Sequence, residues 1–312
     1  MKKTSKIYVA GSSGMVGSAI IRKLKKDGFQ NIVVSNSNDL DLRNQKDVSC
    51  FFSDNSFDYV FVAAAKVGGI LANSTKKADF IYDNLQIQNN IIHYSWKTNV
   101  KKLLFLGSSC IYPKNSNIPI KESDLLSGKL EDTNDAYAIA KIAGIKMCQA
   151  YKLQYGFNAI SIMPTNLYGY NDNFDLEASH VVPALIRKFS EAKKFNHSKV
   201  VCWGTGEPLR ELLFVDDLAD ACIFLMNEYA DKDHINVGTG EDISIQELAN
   251  KIKDMMGFKG EIVWDRSKPN GVHRKVLDVT KLNSLGWKSK INIDEGLRLT
   301  IDWYTENNNL KG

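Results

Sequence analysis

Three groups of residues in this sequence have types and spacings that could do chemistry. Tyr137 and Lys141 stand four apart in "DAYAIAKIAG", so on a helix they project from one face. A free phenol titrates at about 10. An ammonium held close favours the phenolate and lowers that value, which predicts a proton donor and acceptor usable near neutral pH. Gly11, Gly14 and Gly17 form "GSSGMVG" between a strand-like run and a helix-like stretch. Glycines there let the backbone approach a pyrophosphate, and the helix N-terminus supplies free N–H groups and the positive end of a dipole. Ser108 and Cys110 follow "KKLLFL" in "GSSCIYP", a hydroxyl and a thiol where a buried strand ends. Each group alone has a plain structural reading: a helix surface, a tight turn, and a small core hydrophobe. Together they describe a carbonyl reductase. Ser108 would hydrogen-bond a carbonyl oxygen, Tyr137 would protonate it, and a nicotinamide would deliver hydride to its carbon.

The elements that must position these groups can be read from periodicity. "KIYVAG" (6–11), "NIVVS" (31–35), "DYVFVAAA" (58–65), "KKLLFLGSS" (101–109), "NAISIMPTN" (158–166) and "VVCWG" (200–204) read as strands. The stretch 14–29 carries Val16, Ile20, Ile21 and Leu24 at helical spacing. Strands alternating with helices predict a parallel sheet with right-handed crossovers. This is an α/β, Rossmann-type doubly wound fold. Beyond about residue 165 the texture becomes polar and irregular, with an amphipathic helix at 244–258. The expected organisation is a dinucleotide-binding domain over 1–165, with returning segments near 200–225, and a smaller, mainly substrate-binding domain over 166–312.

With 312 residues, 44% of them hydrophobic, the chain can bury a sizeable core. Its net charge of +4 is spread over pairs such as Lys25-Lys26 and Lys193-Lys194, with no basic stripe interleaved with aromatics, which argues against nucleic-acid binding. The opening "MKKTSK" runs straight into a strand and lacks a long apolar core, so it is not read as a signal peptide, and no run is long enough for a membrane helix. The five cysteines are widely spaced and form no Cys/His cluster. A reduced, cytoplasmic, metal-free protein is expected.

The second strand ends in Ser35, Asn36 and Ser37, where an NAD enzyme would carry a ribose-binding acid. Its absence removes a repulsion against a 2′-phosphate and favours NADP, although no arginine stands in that stretch to clasp the phosphate. Asp39 and Asp41 lie slightly downstream and would serve the adenine side.

The glycine loop, Ser108 and the Tyr-Lys pair resemble the extended short-chain dehydrogenase/reductases. Within that family, "LLFLGSSCIYP", "YAIAKIAGIK", "MPTNLYG", "SHVVPALIRKF" and "INVGTG" resemble the GDP-4-keto-6-deoxy-mannose 3,5-epimerase/4-reductases, over nearly the whole chain. The resemblance implies one site that inverts C3 and C5 of a 4-keto sugar nucleotide and then reduces C4, giving GDP-L-fucose with NADPH. A C4 reductase acting on another GDP-4-keto-6-deoxy sugar, such as a heptose, would keep the same motifs. It implies that Cys110 is the base and His180 the acid of epimerisation, with Ser108 and Tyr137 stabilising the enolate oxygen. The implied cofactor site holds Gly11, Ser13, Gly14, Met15, Val16 and Gly17 on the phosphate side. Asn36, Asp41, Leu42, Ala64, Lys141, Pro164, Asn166 and His180 complete it. Asn166 also faces the sugar, and Lys188, Trp203, Arg210 and Asn270 hold the GDP part; for Trp203 a core role fits equally well. Ser13, Tyr170 and Asn270 depart from residues common in the family. A dehydratase would place an acid where Ser109 and Cys110 stand, and a nucleotide-sensing protein has no need of the proton relay. The resemblance also implies a homodimer, for which Ile139, Ile142, Ile145, Met147 and Cys148 make the Tyr-Lys helix apolar beyond one face.

Overall fold

A computed structural model describes residues 1–176, 179–268 and 270–309. The chain begins β1 (Ile7–Ala10), α1 (Met15–Lys26), β2 (Ile32–Val34), α2 (Gln45–Asn55), β3 (Tyr59–Val62), α3 (Ile70–Thr75), α4 (Lys77–Lys97) and β4 (Lys102–Leu106). It continues with α5 (Asp135–Tyr155), β5 (Ala159–Pro164), β6 (Asn166–Tyr168), α6 (Val181–Lys194), β7 (Lys199–Trp203), β8 (Leu209–Phe214) and α7 (Val215–Glu228). It ends with β9 (Ile235–Val237), β10 (Asp242–Ser244), α8 (Ile245–Met255), β11 (Glu261–Asp265), β12 (Arg274–Lys275), α9 (Thr280–Ser284) and α10 (Ile293–Asn309).

Six strands form a parallel sheet in the order β2-β1-β3-β4-β5-β9. Side chains that alternate along each strand are buried on both faces. Ile7 and Val9 of β1, and Leu104 and Leu106 of β4, join a core with Ile20 and Leu24 of α1 and Leu218 and Leu225 of α7. Tyr8, Leu103 and Phe105 point the other way, into a core with Phe52 of α2, Ile91 of α4 and Ile145 of α5. Burial on both faces explains why these strands read as continuous apolar runs. Full burial of such Leu, Ile or Phe side chains contributes about 1.5–3 kcal/mol each.

A third core joins α6, α8 and α10 through Leu185, Phe189, Ile252 and Leu297. Over it lie the short strands β10-β8-β12, with β6 paired to β8, and the ribbon β7-β11. The chain re-enters the first layer at α7 and β9, whereas β7 pairs with β11. β1 lies between β2 and β3, so the connection after β1 leaves on one side and the connection to β3 on the other. Such a switch point opens a crevice at the carboxyl ends of the strands. No helix among the described residues is long and apolar enough to cross a membrane.

Candidate active site

A cleft of about 1220 Å³ opens at that switch point, and the residues expected at the site line it, except Asp39, which lies outside the lining. At its floor the glycine loop connects β1 to α1. Gly11 has φ of 82°, and a Cβ there would lie 2.6 Å from the Ala64 backbone nitrogen. A Cβ on Gly17 would lie 2.1 Å from the Gly11 carbonyl oxygen, so only glycine lets the helix start this close to the strand. Gly14 begins α1 in an extended conformation with no side-chain cap, which leaves the first-turn N–H groups to the cleft. A cradle of glycine backbone at an uncapped helix N-terminus fits a dinucleotide pyrophosphate.

At the adenosine end Asn36, Asp41 and Leu42 line the wall together with Arg43, which sequence reasoning passed over. The Arg43 guanidinium donates to both Asp41 oxygens (2.9 Å from Nε to Oδ1 and 2.9 Å from Nη2 to Oδ2) and to Asp83 at 3.2 Å. These bonds hold the Asp41 carboxyl below its ordinary range. The "RN" that follows "DLDL" was the only available signal; it sits beyond the strand end where an arginine was sought.

The groups expected to react come from the end of β4 and from α5. Ser108 ends the extended run after β4, and its hydroxyl accepts the Cys110 N–H at 3.5 Å. Tyr137 and Lys141 lie one turn apart on α5, as their spacing predicts. The Lys141 ammonium is buried and donates to the Leu106 carbonyl at 2.8 Å, which ties α5 to the strand end that carries Ser108 and Cys110. Burial lowers its pKa to about 8. Tyr137 departs from expectation. Burial pushes its pKa up, the nearby Cys110 adds to that, and hydrogen bonding with Ser108 opposes it only in part. Desolvation dominates, so the phenol is held protonated and suited to give a proton rather than take one.

Cys110 is 8% exposed, and burial raises its pKa, opposed first by the charge of Lys275 and then by Ser108 and Lys141. His180 is the N-terminal boundary residue of α6, open to the cleft yet hemmed in by protein, and desolvation lowers its pKa. Thiol and imidazole therefore both rest uncharged near neutral pH. Asn166 donates its amide to the Glu211 carbonyl at 2.9 Å.

The far end of the cleft is more open. Lys188 donates to the Val201 carbonyl at 2.9 Å, and its ammonium stands 5.7 Å from the Trp203 ring centroid. Lys268 flanks the same ring at 5.5 Å. Trp203 is 50% exposed, which excludes the core role considered for it. Arg210 donates to the Leu209 and Asn270 carbonyls, and the Asn270 side chain accepts the Thr205 N–H at 2.8 Å.

The model of the NAD dependent epimerase/dehydratase family matches residues 7–238. The chain belongs to this family. Among its members, a GDP-L-fucose synthase of Arabidopsis thaliana is 58% identical over 98% of this chain and 94% of its own length. A GDP-L-fucose synthase of Escherichia coli is 51% identical over 97% of each chain. A solved GDP-mannoheptose C4 reductase from Campylobacter jejuni, with NADP bound, superposes with a TM-score of 0.90 at 42% identity, covering 98% of this chain and 99% of that one. The family's doubly wound dinucleotide fold is the architecture described above.

Proposed function

We propose that this chain is an NADPH-dependent enzyme that epimerises GDP-4-keto-6-deoxy-mannose at C3 and C5 and reduces C4, giving GDP-L-fucose. The observation that carries the reading is a thiol, Cys110, in one cleft with Ser108, Tyr137 and Lys141. Reduction needs the last three, and the thiol adds the base that epimerisation requires. The full-length likeness to GDP-L-fucose synthases at more than half identity supports the same substrate. A cleft of about 1220 Å³ exceeds the roughly 300–1,000 Å³ of a single small-molecule site, as a dinucleotide and a nucleotide sugar together require.

Gly11–Gly17 would hold the pyrophosphate of NADPH, and Asn36, Asp41 and Leu42 its adenosine end. When bound, it supplies the hydride for C4. Ser108 and Tyr137 hold the C4 oxygen, and Tyr137 gives it a proton as negative charge develops there. In epimerisation the same two groups stabilise the enolate oxygen. Cys110 takes the proton at C3 and C5, and His180 returns one from the other face. Lys188, Arg210 and Asn270 bind the diphosphate end, and Trp203 stacks on guanosine or ribose. Residues 1–165 with α7 and β9 serve the dinucleotide, and the rest mainly serves the GDP-sugar.

The enzyme is read as a cytoplasmic homodimer. All five cysteines are free, as a reducing compartment requires. Ile142, Ile145 and Cys148 are spent on the core, but Ile139, Leu153 and Tyr155 of α5 and Tyr82 of α4 are 47%, 70%, 47% and 61% exposed, apolar surface that a second copy would cover. The GDP-mannoheptose reductase likeness supports a second reading, C4 reduction of a GDP-heptose. Incubation with NADPH and each GDP-4-keto-6-deoxy sugar, followed by NMR of the product, decides between them. GDP-L-fucose from the mannose-derived substrate is expected. Turnover of a heptose substrate alone would overturn the first reading.

A further inference from the structure

Of the large apolar side chains that stand exposed among the described residues, three line the cleft. Trp203 is at the far end. Val67 and Leu71, 62% and 50% exposed, stand on the segment that follows β3. Neither carries a reacting group. Apolar side chains exposed inside a cleft are surface for a ligand to cover.

Buried amides brace this segment. The Asn84 side chain of α4 accepts the Lys66 N–H at 2.9 Å and donates to the Lys66 carbonyl at 3.0 Å. The Asn73 side chain of α3 donates to the Gly68 and Gly69 carbonyls at 2.6 and 3.1 Å. These bonds fix the backbone on both sides of Val67 and shortly before Leu71. Gly68 packs on α4, where a Cβ would lie 3.2 Å from Phe80 Cζ. The Phe80 ring in turn meets the Tyr137 ring edge-on, with centroids 6.3 Å apart and planes at 86°. Lys77, at the start of α4, donates to the Asp132 carbonyl at 2.6 Å and to the Asp135 carboxylate at 2.8 Å, which ties the same wall to the beginning of α5. Val67 and Leu71 therefore stand on a fixed wall joined by contacts to Tyr137.

We propose that Val67 and Leu71 form the specificity wall that receives the C6 methyl of a 6-deoxy sugar. The inference rests on the reading of the substrate as a GDP-4-keto-6-deoxy sugar whose C4 oxygen is held by Ser108 and Tyr137. The methyl is carried by C5, the neighbour of C4, so it must lie beside that oxygen. It is also the ring's one apolar substituent; the others are hydroxyls, the ketone and the phosphate ester. A heptose with a hydroxyl on C6 would bring a polar group to the same wall, where valine and leucine offer it no partner. Inversion at C5 changes the side of the ring from which the methyl projects. Apolar contact is not directional, so one wall accommodates both epimers, as hydrogen bonds to a fixed group could not.

The test is steady-state kinetics of the full chain with GDP-4-keto-6-deoxy-mannose and with a GDP-4-keto-heptose bearing a hydroxyl on C6, in Val67→Thr, Leu71→Gln and Val67→Ile. Both positions are exposed, so the core is untouched. Selectivity is the ratio of the two KM values, or of KM to the inhibition constant of a heptose that is not turned over. Val67→Thr and Leu71→Gln should each raise KM for the 6-deoxy sugar about fourfold, the worth of one buried methyl or methylene. Selectivity should fall by at least that factor, with Kd for NADPH and for GDP unchanged. Val67→Ile should keep the values of the unsubstituted chain. An unmoved KM in both polar variants overturns the inference. So does an equal loss for both sugars, which would mean a structural role only. A raised Kd for NADPH also overturns it, because the pair would then be a wall for the nicotinamide. Failure of the substrate reading shows separately, in the unsubstituted chain: it would turn over the heptose alone or neither sugar, and the wall would then have no methyl to receive.

Discussion

At one end of the cleft Lys141 and Cys110 are 3% and 8% exposed; at the other Trp203 is 50% exposed between two surface lysines. The catalytic corner stands on the central parallel sheet, and its lysine is bonded to the main chain of β4. The other end stands on a two-stranded ribbon, with Asn270 bonded to the Thr205 N–H beside it. Charges in the first region act in a desolvated site and are strong. Those in the second are screened until a ligand covers them. On the proposed function, the difference teaches that the chemistry would be preset by burial, whereas recognition of the nucleotide would be completed on binding.

The sharpest way to break this comparison is at Tyr137. Tyr137→Phe should cut reduction by at least about a hundredfold, the scale of a lost general acid, while cofactor titration stays near normal. Near-wild-type turnover would remove Tyr137 from the mechanism. Cys110→Ser should divide the two half-reactions. Deuterium exchange at C3 and C5 should fall by about a hundredfold, because a hydroxyl is a far weaker base than a thiolate, while NADPH oxidation with a pre-epimerised 4-keto sugar persists. Trp203→Ala probes the other region. Stacking on a base contributes about 1–3 kcal/mol, and the half-exposed ring belongs at the low end. KM for the GDP-sugar should therefore rise about tenfold with kcat little changed. A fall in kcat equal to the loss in kcat/KM would show that the two ends are not separable.

A pH series sharpens the contrast with a smaller effect. Lys141, lowered to about 8 by burial, is charged below that pH and neutral above it. The pH dependence of kcat for reduction should hold up to about pH 8 and decline beyond it, whereas exchange should rise with pH as Cys110 ionises. Parallel profiles would argue against separate acid and base.

Much of the catalytic corner was legible because its determinants are local. A glycine loop between an apolar run and a helix, a Tyr and Lys four apart, and a Ser-Ser-Cys after a strand each announce themselves within a few residues. Lys275, which also lines the cleft, gave no such sign. Lys275 comes from a strand of two residues in a polar stretch, and its place follows only from pairing with β8. Arg43 escaped notice because its link to Asp83 of α4 crosses a gap that no periodicity records.

The linear order of residues by itself determined the alternation of strands and helices, the phosphate-binding turn and the pairing of Tyr137 with Lys141, since backbone sterics and helical spacing act over a few residues. Tertiary structure alone decided which form each reacting group takes. The spacing of Tyr137 and Lys141 predicts a lowered phenol pKa, yet the assembled fold raises it, because the cost of desolvating a charge is set by everything packed around it.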